Sequence, residues 1–166
     1  MLNRIILITL IVFLVSCNTN KEQLKVTYPK YTYNGVKELF SKYKCSVQLS
    51  KLSVKLDKKS YNDWKRFKTR ITEGSKKPVN FGGKYIIVRW GCGTECQTGA
   101  IIDASTGIIY RIPTSERGLE FIKSSLLLIV NPPSKNLKEN KRPKYAYPAY
   151  YVWKNNKFEL LHDMRK

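Results

Sequence analysis

The sequence predicts an α+β protein: two short helices followed by a mainly antiparallel sheet of about five or six strands, in a single domain. Three observations predict it. Apolar residues recur at helical spacing only within residues 36–71. Short apolar runs bounded by Gly, Pro and Asn fill residues 84–162. A chain of 166 residues suffices for one sizeable core and is short for two.

Residues 1–16 read as an export signal, in which Arg4 precedes an apolar run from Ile5 to Val15. That run is well short of the roughly 20 residues that span a bilayer. Residues 17–30 are polar and aperiodic, a tether ending near Pro29, and the folded domain is expected over residues 31–166. Val36, Leu39, Phe40 and Tyr43 share one helical face, with Asn34 as the expected cap. Val47 and Leu49 alternate with polar residues, as do Leu52, Val54 and Leu56, out of phase by one. That predicts a strand pair or one bulged strand. Ser60 and Asp63 form an acidic variant of the capping box for a second helix, whose buried face is Trp64, Phe67 and Ile71 and whose stop is Gly74.

Residues 84–89 are apolar at most positions, as in a central strand buried on both sides. Residues 100–104 and 107–113 flank Ser105-Thr106-Gly107, a hairpin turn in which Asp103 is placed for an Asx-type contact. Residues 125–130 form a dense Leu/Ile/Val run stopped by Pro132-Pro133, and residues 134–144 read as a charged loop. Residues 147–153 and 157–162, joined at Asn155-Asn156, make the closing hairpin.

Between the first two strands lies Trp90-Gly91-Cys92-Gly93-Thr94-Glu95-Cys96-Gln97-Thr98-Gly99, with three glycines and two cysteines in ten residues. Cysteines four apart close a small ring where the chain turns sharply, so a Cys92–Cys96 disulfide is expected in an oxidising compartment. Cys45 is then a buried thiol; its pairing with Cys92 or Cys96 is the competing arrangement.

The end of the apolar run, Leu14-Val15-Ser16-Cys17, resembles the lipobox of bacterial lipoproteins. That resemblance implies a diacylglyceryl group on the Cys17 thiol, cleavage before Cys17 and acylation of the new amino terminus. Fatty chains of the palmitate kind in that number anchor a protein stably. Asn18 is not the acidic residue that retains enterobacterial lipoproteins in the inner membrane, so the resemblance implies an outer-membrane anchor facing the periplasm. Phe81-Gly82-Gly83-Lys84-Tyr85, the GCGTEC core and Asp103-Ala104-Ser105-Thr106-Gly107 resemble a group of exported bacterial proteins carrying a GCGTxC motif followed by a D-x-x-T-G hairpin. The likeness implies secretion, with no assigned activity.

The net charge is +19, from 31 basic and 12 acidic side chains. Arg4 is the only basic residue before Cys17, so the chain from Cys17 onward carries +18. Such a balance favours anionic partners, and the expected partner is an anionic envelope glycan, a lipid head group or a protein. Nucleic acid is not expected behind an export signal. The bland counterpart is a lysine-rich composition that only solvates the surface. Residues 51–77 hold ten Lys/Arg against three acids, and Lys58, Lys59, Lys65, Arg66, Lys68 and Arg70 are the candidate contacts.

Catalytic patterns are weak. Thiol oxidoreductases use C-x-x-C at a helix start, whereas here C-x-x-x-C precedes a strand. His162 is the only histidine and no nucleophile elbow accompanies it. Cys45, Cys92, Cys96 and His162 match no metal-ligand spacing. Glu95 and Asp103 are the carboxylates a glycan hydrolase could draw on. The reading is therefore a non-catalytic binding or inhibitor-type lipoprotein with no cofactor and no metal. The alternative is an envelope enzyme using thiol or carboxylate chemistry at the GCGTEC loop.

Overall fold

A computed structural model describes residues 35–133 and 142–166. Cys17, the signal and the tether lie outside the described residues, as do Asn34 and residues 134–141 of the charged loop.

Helix α1 spans Val36–Lys42 and buries Val36, Leu39 and Phe40, the stripe its spacing predicts. Gly35, at φ 86°, takes the cap position without a side-chain bond. Helix α2 spans Trp64–Ser75. Its capping differs from expectation. Ser60 lies in a separate 3-10 turn, Lys58–Ser60, donates to the Asp57 carbonyl and accepts from the Ile109 amide. Gly74 is not a left-handed cap: it is the penultimate residue of α2, one before its end, and it is buried where a Cβ would overlap Val88, so its role is close approach to the sheet.

Among the described residues, seven strands form two antiparallel sheets, where the sequence predicts one sheet of about five or six. The first sheet has the order β1-β2-β3, with β1 at Tyr85–Gly93, β2 at Cys96–Asp103 and β3 at Ile109–Arg111. The second has the order β4-β5-β6-β7, with β4 at Leu119–Glu120, β5 at Leu127–Val130, β6 at Ala149–Lys154 and β7 at Lys157–Asp163. Both expected hairpins form. Asp103 and Gly107 close the β2–β3 turn through Gly107 N–H to the Asp103 carbonyl (2.8 Å), and Asn155 and Asn156 both adopt positive φ between β6 and β7.

The layers follow from the two-residue period of the strands. Tyr85, Ile87 and Ile101 face Leu128, Val130 and Trp153 across the inter-sheet core, where Tyr85, Tyr110 and Phe158 surround Trp153. On the other face of the first sheet, Ile86, Val88, Trp90 and Ile102 pack against Ile71 and Phe67 of α2. On the outer face of the second, Leu127, Ile129 and Tyr150 pack under α1. The order is α2, sheet, sheet, α1. This explains why β1 reads as central: it is covered on both faces, yet it pairs only with β2 and ends its sheet.

Residues 47–56 form no strand, contrary to their alternation. Leu49, Leu52 and Leu56 pack against the α2-side core while Val47 and Val54 are exposed. The Gln48 and Leu49 amides share the Gly83 carbonyl and the Ser53 amide donates to that of Ala104, so the segment is tied to the first sheet at scattered points without forming a ladder.

Candidate functional site

The Trp90–Gly99 stretch is mostly strand. β1 and β2 run on through it, and only Thr94 and Glu95 leave the ladder. Register slips between Gly91 and Gly93, so Cys92 is the bulged residue, and the Cys92–Cys96 disulfide closes the tip with Cα atoms 5.1 Å apart. That bond removes the alternative pairings of Cys45, which is buried in the inter-sheet core. Glu95, in the left-handed region at φ 52°, reaches Arg117 at 3.5 Å. Gln97 exchanges two main-chain bonds with Ser115 (2.8 and 2.9 Å), which ties the hairpin stem to the chain that follows β3.

An open groove of about 610 Å³ runs beside this hairpin along the unpaired edge of β1. Lys77 and Asn80 border it before β1, Arg89 and Trp90 come from β1 itself, and Glu116 and Phe121 lie opposite. Arg89 spans the two sheets: Nη1 donates to the Leu119 carbonyl (3.3 Å) and the guanidinium lies 5.5 Å from the Phe121 ring centre. Trp90 is buried with its ring 4.7 Å from that of Phe67, and its Nε1 has no partner among the described residues. A second hollow, lined by Arg70, Glu73, Lys77 and Arg89 among others, shares Lys77, Val88 and Arg89 with the first. Arg70, Lys77 and Arg89 therefore form one basic border.

The six basic residues picked from sequence sit on two elements, the 3-10 turn and α2. Lys58 and Lys59 sit on the 3-10 turn, with Lys58 Nζ 5.7 Å from the Trp64 ring. On α2, helical spacing puts Lys65 and Lys68 on one flank and Arg66 and Arg70 on the other. Only Arg70 reaches the hollow beside β1. Lys77 and Arg89 were not among the expected contacts, because groove membership depends on which edge of β1 lacks a partner.

A second polar cluster lies at the opposite end of the first sheet. Asp103 is buried, accepts from the Ser105 amide (2.8 Å) and hydroxyl (2.5 Å), and pairs with Lys84 Nζ at 2.7 Å. Burial works against its charge, but the bonds from Lys84 and Ser105 outweigh burial and hold the carboxyl below its ordinary range. Burial likewise opposes the Lys84 ammonium, and the Asp103 bond overcomes it, so Lys84 titrates above its usual value. Burial pushes the neighbouring Tyr85 and Tyr110 hydroxyls up. The Asx contact was legible in the turn sequence; the Lys84 partner, nineteen residues away, was not.

The remaining catalytic sets do not assemble. Glu95 and Asp103 stand at opposite ends of β2, roughly 25 Å apart by strand rise. Paired glycosidase carboxylates stand within about 10 Å. Of the four metal-type residues, Cys92 and Cys96 are joined to each other, Cys45 is in the core and His162 lies exposed on β7. No group of three His, Cys, Asp or Glu fit to hold a metal occurs among the described residues, and no helix there is long and apolar enough to cross a membrane. No protein-family model, curated protein or solved structure matches the chain.

Proposed function

We propose that the chain is an exported protein, anchored to the cell envelope by lipid on Cys17, whose globular part binds an anionic partner without transforming it. The lipobox-like Leu14–Cys17 run supports the anchor, and a covalent brace at an exposed hairpin tip fits an oxidising compartment. The binding role is carried by one observation. Lys58, Lys59, Lys65, Arg66, Lys68 and Arg70 are exposed or border the groove, and none forms an ion pair among the described residues. Their field is not neutralised within the chain, so it acts on what approaches.

The test compares two faces of the molecule. Reversal of Lys65, Arg66 and Lys68 to Glu on α2 is set against reversal of Lys37, Lys42 and Lys44 to Glu around α1, and salt elution from an immobilised polyanion is measured. Elution at clearly lower salt for the α2 variant alone supports the reading. Equal shifts for both variants would mean that the lysines act only as dispersed charge.

A further inference from the structure

The geometry points to the free edge of β1 as a strand-addition site for an extended acidic peptide segment of a partner protein. This deepens the anionic-partner reading above and rests on it for the charge of the partner.

Alternate residues of β1 turn their main-chain groups to opposite sides. Ile86, Val88 and Trp90 stand opposite Ile102, Ala100 and Thr98 of β2. Ile87 turns its main-chain groups the other way: its N–H donates to Asn80 Oδ1 (2.8 Å), and Asn80 Nδ2 donates to its carbonyl (3.1 Å). Before it, Tyr85 exchanges main-chain bonds with Phe81 on the same side. The outer edge of β1 is thus satisfied as far as Ile87. Two residues on, the main-chain groups of Arg89 and then of Gly91 face the same side, and no described residue bonds to them. Both residues are exposed. The groove follows this open stretch.

Other sheet edges differ. The outer side of β3 is met by the Ser60 hydroxyl at Ile109 and by Asp57 at Ile108. β4 is two residues long. β7 is kinked by a register slip opposite Tyr150 and Tyr151 and carries the Lys157–Glu159 pair. β1 is bulged as well, at Cys92, but the bulge lies past Gly91, and the stretch from Arg89 to Gly91 carries no such protection among the described residues. Gly91 adds a second sign. It does not adopt a positive φ, and a Cβ there would find nothing nearer than the Cys96 carbonyl at 3.9 Å. Gly91 borders the bulge at Cys92, and with no side chain and open space beside it, it also admits the close approach of another backbone.

Charge selects the occupant. Lys77 and Arg89 border the groove, and Arg70 the hollow that adjoins it, without an ion pair among the described residues. The carboxylates of the two hollows are engaged: Glu73 with Lys76, Glu95 with Arg117, and Glu116 with the Asn131 amide. An added strand supplies main-chain donors and acceptors to Arg89 and Gly91, and its acidic side chains meet the three cations.

The probe is an array of immobilised ten-residue peptides alternating Val or Thr with Glu or Asp. Each is paired with a copy N-methylated at four central amides, which keeps every charge and removes the donors of both edges. Full-length, disulfide-intact protein in detergent is expected to be retained at least tenfold more strongly by unmodified copies, and amide exchange at Arg89 and Gly91 to slow by at least tenfold on adding the best peptide. Gly91→Pro, with unchanged circular dichroism, is expected to lose that preference. Should that variant fold poorly, Lys77→Glu combined with Arg89→Glu is expected to lose retention of all the peptides. Equal retention of methylated and unmodified copies overturns strand addition and leaves the anionic-partner reading standing. No retention of either, or slowed exchange confined to β7, overturns strand addition as well; the polyanion elution test then decides the anionic-partner reading alone.

Discussion

Asn80 grips Ile87 by both main-chain groups, accepting its N–H at 2.8 Å and donating to its carbonyl at 3.1 Å. One carboxamide thereby takes the place of a peptide unit from a neighbouring strand, and the edge of β1 is closed at Ile87 and open from Arg89 onward.

Loss of that grip strands two half-buried groups. Asn80→Ala is expected to destabilise the protein by about 1–3 kcal/mol in urea unfolding. Asn80→Asp keeps the acceptor and gives up the donor, so its midpoint should fall between those of the wild type and Asn80→Ala.

Gly74 lies against Val88, so the usual gain from replacing a helical glycine is reversed here. Gly74→Ala adds about 1 kcal/mol of helix propensity, but its methyl group would stand 2.3–2.4 Å from both Val88 methyls. Overpacking at about 1–3 kcal/mol decides the sign. Calorimetry should show a lower Tm for Gly74→Ala and recovery in the double variant Gly74→Ala with Val88→Ala.

The Lys84–Asp103 pair gives a pH signature. Asp103 is held below the ordinary carboxyl range, so its contribution is complete above the unfolded value of about 3.9 and is lost as pH falls through the lower folded value. Lys84 is raised, so its contribution is complete below about 10.4 and is lost as pH rises through the higher folded value. Asp103→Asn is expected to cost about 2 kcal/mol at neutral pH, since Lys84, 28% exposed, regains some hydration. The difference from wild type should shrink in acid and again in strong alkali; denaturant midpoints across pH measure it.

The five-residue ring closed by Cys92–Cys96 contributes about 2 kcal/mol by loop entropy. Cys92→Ser with Cys96→Ser should lower stability by that amount and leave Cys45 as the sole thiol among the described residues. Thiol titration of the unfolded protein, with an unfolding curve beside it, checks both.

Local chemistry was legible in the sequence where it is local in the fold. The face of α1, the Asp103 and Asn155-Asn156 turns and the Cys92–Cys96 bond each follow from residues within a few positions of one another. The division into two sheets was not legible, because β1 and β5 read as two-sided apolar runs whether a strand is central or sandwiched between layers. The alternation in residues 47–56 misled for a related reason: burial of Leu49, Leu52 and Leu56 against the α2 side produces the pattern without a ladder. Gly74 has the residue type of a helix stop, and only its contact with Val88 shows otherwise. The groove beside Arg89 depends on which flank of β1 lacks a neighbour, a property of topology that no stretch of sequence states.

Mass spectrometry of the protein taken from its native envelope tests the central claim most directly. A mature chain beginning at Cys17 is expected, carrying a diacylglyceryl thioether and an acylated amine, with Cys92 and Cys96 oxidised to each other. An unlipidated chain still beginning at Met1, with all four sulfurs reduced, would contradict it.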